Sequence, residues 1–247
     1  MAVSTLELTG ERTLPGIVEE NYWFRRHEAA YFALLPFCTG AVVLDAGAGE
    51  GYGAELFRRT ASRVVALDYL PDVCAHVARR YPAVSSVQGD LQRMPLGTGA
   101  VEVVANLQVI EHLHDQLGFV AECARVLRPA GTLIVTTPNR LTFSPGSAEP
   151  LNPFHTRELS AAELTALLAP HFTVTRTLGL SHGSRIRRWE KRHGSLVDTL
   201  VATSPDRWGA QIRRLVRSVR AADFVVSPDD VDASLDLVVI AIRRTGA

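Results

Sequence analysis

The run Val42-Val43-Leu44-Asp45-Ala46-Gly47-Ala48-Gly49-Glu50-Gly51-Tyr52-Gly53 constrains this chain more than any other stretch, because apolar residues end in an acid and then in a glycine-rich turn. A short apolar run stopped by glycine reads as a buried strand, and Ala54-Glu55-Leu56-Phe57-Arg58-Arg59 beyond it has helical composition. The unit is strand, tight loop, helix. Its glycines permit positive φ and let a ligand lie against bare backbone, with the amides that open the helix expected to point at it. The spacing bears on the ligand's charge. Gly47, Gly49 and Gly51 give G-x-G-x-G, whereas the dinucleotide fingerprint needs its third glycine where Tyr52 stands. Asp45 and Glu50 bracket the loop, which disfavours a pyrophosphate and favours a cationic head. Taken alone, the loop also admits another nucleotide or a purely structural turn.

The same grammar repeats downstream. Arg63-Val64-Val65-Ala66-Leu67-Asp68 reads as a second buried strand ending in an acid, and Pro71 opens a helix through Arg80. Val84 to Gly89 forms a third strand that ends at Asp90, and Val101 to Ala105 a fourth. In open α/β sheets ligands bind outside the carboxyl ends of the strands, so Asp45, Asp68 and Asp90 should converge on one crevice.

S-adenosylmethionine (SAM) carries an ammonium and a sulfonium and no phosphate. The pattern Asp45-x-Gly47-x-Gly49-x-Gly51 resembles the first motif of class I SAM-dependent methyltransferases. Val109-Ile110-Glu111-His112 with Asp115 is similar to the string that follows the fourth strand in the small-molecule branch of that family. Arg128-Pro129-Ala130-Gly131 leading into Thr132-Leu133-Ile134-Val135 resembles its turn into strand five. The resemblance spans roughly residues 41–140 and implies a Rossmann-like α/β fold of the methyltransferase type 11 kind. That fold is a seven-stranded, mostly parallel sheet with helices on both faces and the last strand antiparallel beside its predecessor. It also implies that Asp68 holds the ribose, that Asp90 holds the adenine amino group with Leu91 lining the base, and that Ala48, Tyr69, Asn106 and Leu107 complete the cofactor contacts.

Around this core, residues 1–40 read as an arm and a lid. Residues 1–18 are polar with Pro15 and Gly16, and residues 19–36 place aromatics at helical spacing until Pro36 ends the run. Those aromatics, with Arg25, Arg26 and His27, either cover one edge of the core or close over a ligand, with Tyr22, Arg26 and His27 as substrate contacts. Residues 41–183 form the cofactor-binding core, in which Ser160 caps a helix Ala161 to Leu168 and Phe172 to Leu180 alternates as a sixth strand. Residues 184–233 read as a helical insertion before a last strand from Leu235 to Ile242. Between residues 184 and 220 ten basic residues stand against three acidic ones, which suits either a solvated helix face or an acidic or polymeric partner.

Composition sets the remaining bounds. Lys plus Arg and Asp plus Glu both number 26, so no global field points to nucleic acid. No apolar run approaches a membrane span, and Cys38, Cys74 and Cys123 form no C-x-x-C pair. These features suggest a cytoplasmic protein with reduced thiols.

For a hydroxyl acceptor, methyl transfer requires alignment with the methyl and removal of one proton. Histidine suits the second task, contributing about 10²–10⁴-fold. His112, after strand four, and His155, after strand five, border the expected crevice, with Glu111 beside them as a substrate contact. Some sugar methyltransferases use magnesium, but Glu111, His112, His114 and Asp115 sit on one element, and consecutive residues rarely chelate a single ion.

Two strings extend the resemblance to actinobacterial sugar O-methyltransferases linked to methylglucose lipopolysaccharide. They run from Gly10-Glu11-Arg12-Thr13 through Glu20-Asn21-Tyr22-Trp23-Phe24-Arg25-Arg26-His27, and over Asn152-Pro153-Phe154-His155. The acceptor implied is a glucose-containing saccharide. A quinone, polyketide or lipid-like acceptor and a non-catalytic SAM-binding subunit stand as alternatives. The absence of an Asn-Pro-Pro-Tyr string after strand four argues against amino-group methylation of DNA or protein.

Overall fold

The computed structural model describes residue 6 and residues 12–147 and 149–245. The extended arm expected over residues 1–18 lies partly outside the described residues, as do Gly10 and Glu11.

The chain runs α1 (Asn21–Leu34), β1 (Val42–Ala46), α2 (Tyr52–Phe57), β2 (Arg63–Asp68), α3 (Pro71–Arg80), β3 (Ser85–Gln88), β4 (Val101–Leu107), α4 (Gln116–Val126) and β5 (Leu127–Pro138). It continues through α5 (Arg140–Phe143), α6 (Ala161–Leu168), β6 (Phe172–His182), α7 (Ser184–His193), α8 (Leu196–Ala202), α9 (Ala210–Ser218), β7 (Phe224–Ser227) and β8 (Asp236–Arg243). Pro36 sits in the first turn of a short 3₁₀ segment, Leu35–Cys38, that closes α1. The expected capping box on α6 is present, with Ser160 accepting from the Glu163 amide and Glu163 reaching back to the Ser160 amide.

The sheet order is β3-β2-β1-β4-β5-β8-β6-β7. β1 to β5 are parallel, and β8 lies antiparallel between β5 and β6. From β1 the chain winds outward to β3 and then crosses to β4 on the other side, which opens a crevice at the carboxyl ends of β1 and β4.

The sheet has eight strands, not the expected seven. The extra one, β7, pairs antiparallel with β6 inside the stretch read as wholly helical. Its four residues, Phe-Val-Val-Ser, are too short to carry an alternation signal, but Phe224 is buried edge-on against Tyr22 and fixes the strand at the sheet's margin. The rest of the insertion is amphipathic. Ile186, Leu196, Leu200, Leu215 and Val216 pack inward, while Arg187, Arg188, Lys191 and Arg192 face solvent.

One face of the sheet is covered by α1, α2, α3 and the insertion, the other by α4 and α6. On α1, Tyr22, Phe24, Ala29, Ala30, Tyr31 and Leu34 are buried, each large side chain contributing about 1.5–3 kcal/mol. The helix is therefore a packed wall of the molecule, and one edge of that wall faces the crevice.

Candidate cofactor and acceptor cleft

The glycine loop turns its amides inward. Gly47 N and Ala48 N both donate to Leu67 O (2.9 and 3.0 Å), Gly49 N donates to Asp68 Oδ2 (2.9 Å), and Gly51 N donates to Ala48 O (3.0 Å). These four loop amides are engaged within the protein and are not free to cradle a pyrophosphate. Close packing explains two of the glycines: a Cβ on Gly47 would lie 2.6 Å from Val109, and one on Gly51 would lie 2.7 Å from Val77. Gly49, at φ +52, faces open space instead. Glu50, expected to favour a cationic head, is engaged within the protein. Its buried carboxylate meets His76 (3.0 Å), Arg80 (3.1 Å) and the Tyr81 hydroxyl (2.8 Å).

Beneath the loop, Asp45 is 1 % exposed and neither of its oxygens accepts a well-formed hydrogen bond, the Ala54 amide acting on it only weakly. Burial, then the nearby Asp68 charge, push its carboxyl up to about 7 against a weaker pull from the Ala54 amide. Asn106 bridges β4 to β1 by donating to Ala46 O (2.8 Å), and its Oδ1 is likewise buried and unpartnered. Buried acceptors without donors are costly, and these suit a ligand that brings positive charge and N–H groups, as SAM does.

Above them opens a cleft of about 1090 Å³. Of the residues expected to hold the cofactor, Gly47, Ala48, Gly49, Asp68, Tyr69, Asp90, Leu91 and Leu107 line it, whereas Asp45, Gly51 and Asn106 lie beneath its wall. Asp68 accepts from Gly49 N and Leu70 N (3.1 Å), which anchors it at the end of β2. Asp90 is exposed and accepts from Gln92 N (2.8 Å). Gln108, just past β4, adopts φ +58, a rare conformation for a residue with a side chain, and turns the chain along the cleft.

The opposite wall carries the residues expected to meet an acceptor. Arg26, His27, Glu111, His112 and His155 line it. Tyr22 does not: it is fully buried, and its hydroxyl pairs with His182 Nε2 (2.7 Å), so its place is in the core. Arg26 forms a buried bidentate pair with Asp236 (2.7 and 2.5 Å), leaving its second terminal nitrogen without a partner. Burial pushes His27 down to about 4, so its ring is neutral. Burial also pushes Glu111 up to about 8, although Thr137 donates to it (3.0 Å).

His112 Nδ1 meets the Phe154 carbonyl (2.9 Å), and His155 Nδ1 meets Glu158 Oε1 (2.6 Å), so each ring is oriented through Nδ1. The two rings stand edge to face with centroids 4.9 Å apart. His114 and Asp115 do not join them. Asp115 caps α4 by accepting from Gly118 N (2.8 Å), and His114 is exposed.

Several contributors escaped the sequence reading. Glu158 orients His155, and its only signal was the His-x-x-Glu spacing. From the insertion, α8 brings Val197, Asp198 and Val201 to the cleft. Tyr52, at the start of α2, adds aromatic surface to the cleft beside Trp23 and Tyr31 of the expected lid helix.

A doubly wound sheet with an acid-lined, phosphate-averse loop at its switch point defines a Rossmann-like binder of a cationic nucleoside. A family profile described as a methyltransferase domain matches residues 44–135. A probable S-adenosylmethionine-dependent methyltransferase of Mycolicibacterium smegmatis is 53% identical over 249 residues, covering 97% of this chain and 96% of the relative. A probable S-adenosylmethionine-dependent methyltransferase of Mycobacterium tuberculosis is 50% identical over 97% of this chain and 90% of the relative. Ubiquinone biosynthesis O-methyltransferase of Xanthomonas campestris is 34% identical over only 44% of this chain and 48% of its own. Among solved structures, a SAM-dependent methyltransferase of Mesorhizobium loti shares the fold with a TM-score of 0.56 at 16% identity, over 92% of this chain and 99% of that one. This chain belongs to the family of SAM-dependent methyltransferases and is an enzyme of that class.

Proposed function

We propose that this methyltransferase transfers the methyl group of SAM to a hydroxyl of a glucose-containing saccharide. The observation that carries the proposal is the pair of oriented histidines beside a buried carboxylate on the wall facing the glycine loop.

When bound, SAM supplies a methyl group already activated by its sulfonium. Asp68 and Asp90 at the strand ends receive donor groups of the nucleoside, with Leu91 and Tyr69 against the base. Asp45 and Asn106 beneath the loop supply negative potential to the cationic end. The acceptor lies against α1 and the segment after β5, where Trp23 and Tyr31 offer rings to a pyranose and Arg26, His27 and Glu111 offer polar contacts.

Glu158 holds the Nδ1 proton of His155, so Nε2 is the basic atom. A hydroxyl donating to Nε2 takes the place of the Asn152 amide, now 3.0 Å away, and passes its proton there as the methyl transfers. His112, in ring contact with His155, holds the acceptor in line. The free thiols Cys38, Cys74 and Cys123 fit a reaction carried out in the cytoplasm.

A second reading keeps the chemistry but takes a lipid-like acceptor. It is favoured by Leu151 and Val201, apolar cleft residues that are 59% and 54% exposed. Incubation with methyl-labelled SAM and a panel of gluco- and manno-oligosaccharides together with a long-chain phenol decides between them. Label in a sugar is expected; label only in a long-chain phenol would replace the first reading with the second.

A further inference from the structure

Glu111, His112 and His155 are organised more closely than proton transfer requires. One donor atom from each lies within 4.8 Å of the other two. Each side chain is also held from behind: Thr137 Oγ1 donates to Glu111, the Phe154 carbonyl accepts from His112 Nδ1, and Glu158 accepts from His155 Nδ1. A neutral ring whose Nδ1 proton is engaged by an oxygen presents Nε2 as its ligating atom. Glu158 backs the His155 ring with a buried carboxylate whose other oxygen has no partner. An imidazole backed by a carboxylate or carbonyl is the arrangement that fixes histidine ligands around metals. Three protein donors at the wall of a cleft also match a centre that leaves coordination positions for other molecules.

We propose that Glu111, His112 and His155 bind one divalent first-row transition ion, of the zinc, manganese, iron or cobalt class, with its remaining positions open to the cleft. Two nitrogen donors select against magnesium, which takes oxygen ligands. The Asn152 amide, 3.0 Å from His155 Nε2, yields that position to the ion. Ion binding and proton acceptance by His155 exclude one another, so the proton transfer described above belongs to the metal-free chain. The proposal rests on the preceding reading only in placing the acceptor's hydroxyl at these residues, and the ion itself is tested without any acceptor.

The test is a titration of the full chain, stripped by dialysis against a chelator, with Co²⁺ followed by visible absorption and with Zn²⁺ followed by calorimetry. SAM binding serves as the check that each variant is folded. One equivalent is expected, with the d–d bands of imidazole-bound cobalt. Glu158→Gln, which preserves shape, should weaken binding about 10–100-fold. His112→Ala and His155→Ala should each lose more, and His114→Ala should lose nothing. The proposal is overturned if the wild-type chain binds no stoichiometric ion, if the double variant His112→Ala/His155→Ala still binds, or if His114→Ala abolishes binding. Stoichiometric cobalt together with no label in any saccharide would support the ion and overturn only the sugar acceptor.

Discussion

The two walls of the cleft are built by opposite strategies. The wall formed by the ends of β1, β2 and β3 is sequential: Asp45, Asp68 and Asp90 stand at or just past successive strand ends, and the glycine loop beside them has its amides met by its own backbone and by β2. The facing wall is assembled from α1, the turn after β4, the segment after β5 and α8, which are distant in the chain. The first wall can be kept while the second is rebuilt, which is how one fold serves one cofactor and many acceptors.

Four substitutions break or sharpen that contrast. His155→Ala, on the acceptor wall, should lower turnover about 10²–10⁴-fold while leaving SAM affinity nearly unchanged, as single-turnover rates and calorimetry would show. Asp68→Ala, on the cofactor wall, should weaken SAM about 10–100-fold, the value of one or two hydrogen bonds to a charged group. If His155→Ala weakened SAM and Asp68→Ala did not, the two walls would have to exchange roles.

Gly53→Ala tests the seam between the walls. A Cβ there would collide with the ring of Tyr31, which is packed against Phe57 and Tyr52, and the cost should be about 1–3 kcal/mol in urea unfolding.

Asp45→Asn gives the most diagnostic sign. The folded chain holds the Asp45 proton up to about pH 7, whereas an unfolded carboxyl loses it near its ordinary value of 3.8. The folded state therefore binds more protons across that window, and stability should fall as pH rises through it, by at most about 1.4 kcal/mol per pH unit. The asparagine variant should flatten that slope and bind SAM more weakly. An unchanged slope between about pH 5 and pH 7 would mean that Asp45 is ionised in the native state.

The sequential wall was legible from sequence because its signals are local. The strand Arg63–Asp68 and the helices Pro71–Arg80 and Ala161–Leu168 begin and end where composition and caps place them. The inward turn of the loop amides was not legible, because it depends on Leu67 O and Asp68 across the neighbouring strand. On the assembled wall, His112 and His155 were identified one at a time, but their ring contact spans 43 residues of chain and leaves no local trace. The same holds for Tyr22, whose helical spacing suggested a ligand contact and whose partner, His182, lies on β6. In α8 the run of small apolar residues read as part of a basic insertion, because its charged neighbours dominated the count.

The buried pair of Arg26 with Asp236 joins the first helix to the last strand across 210 residues. Synthesis proceeds from the N-terminus, so β1 to β5 are all available to form the cofactor wall long before Asp236 emerges. Until then Arg26 lacks the carboxylate with which it is buried. In chain order the segments that carry Asp45, Asp68 and Asp90 thus precede the strand that fixes α1.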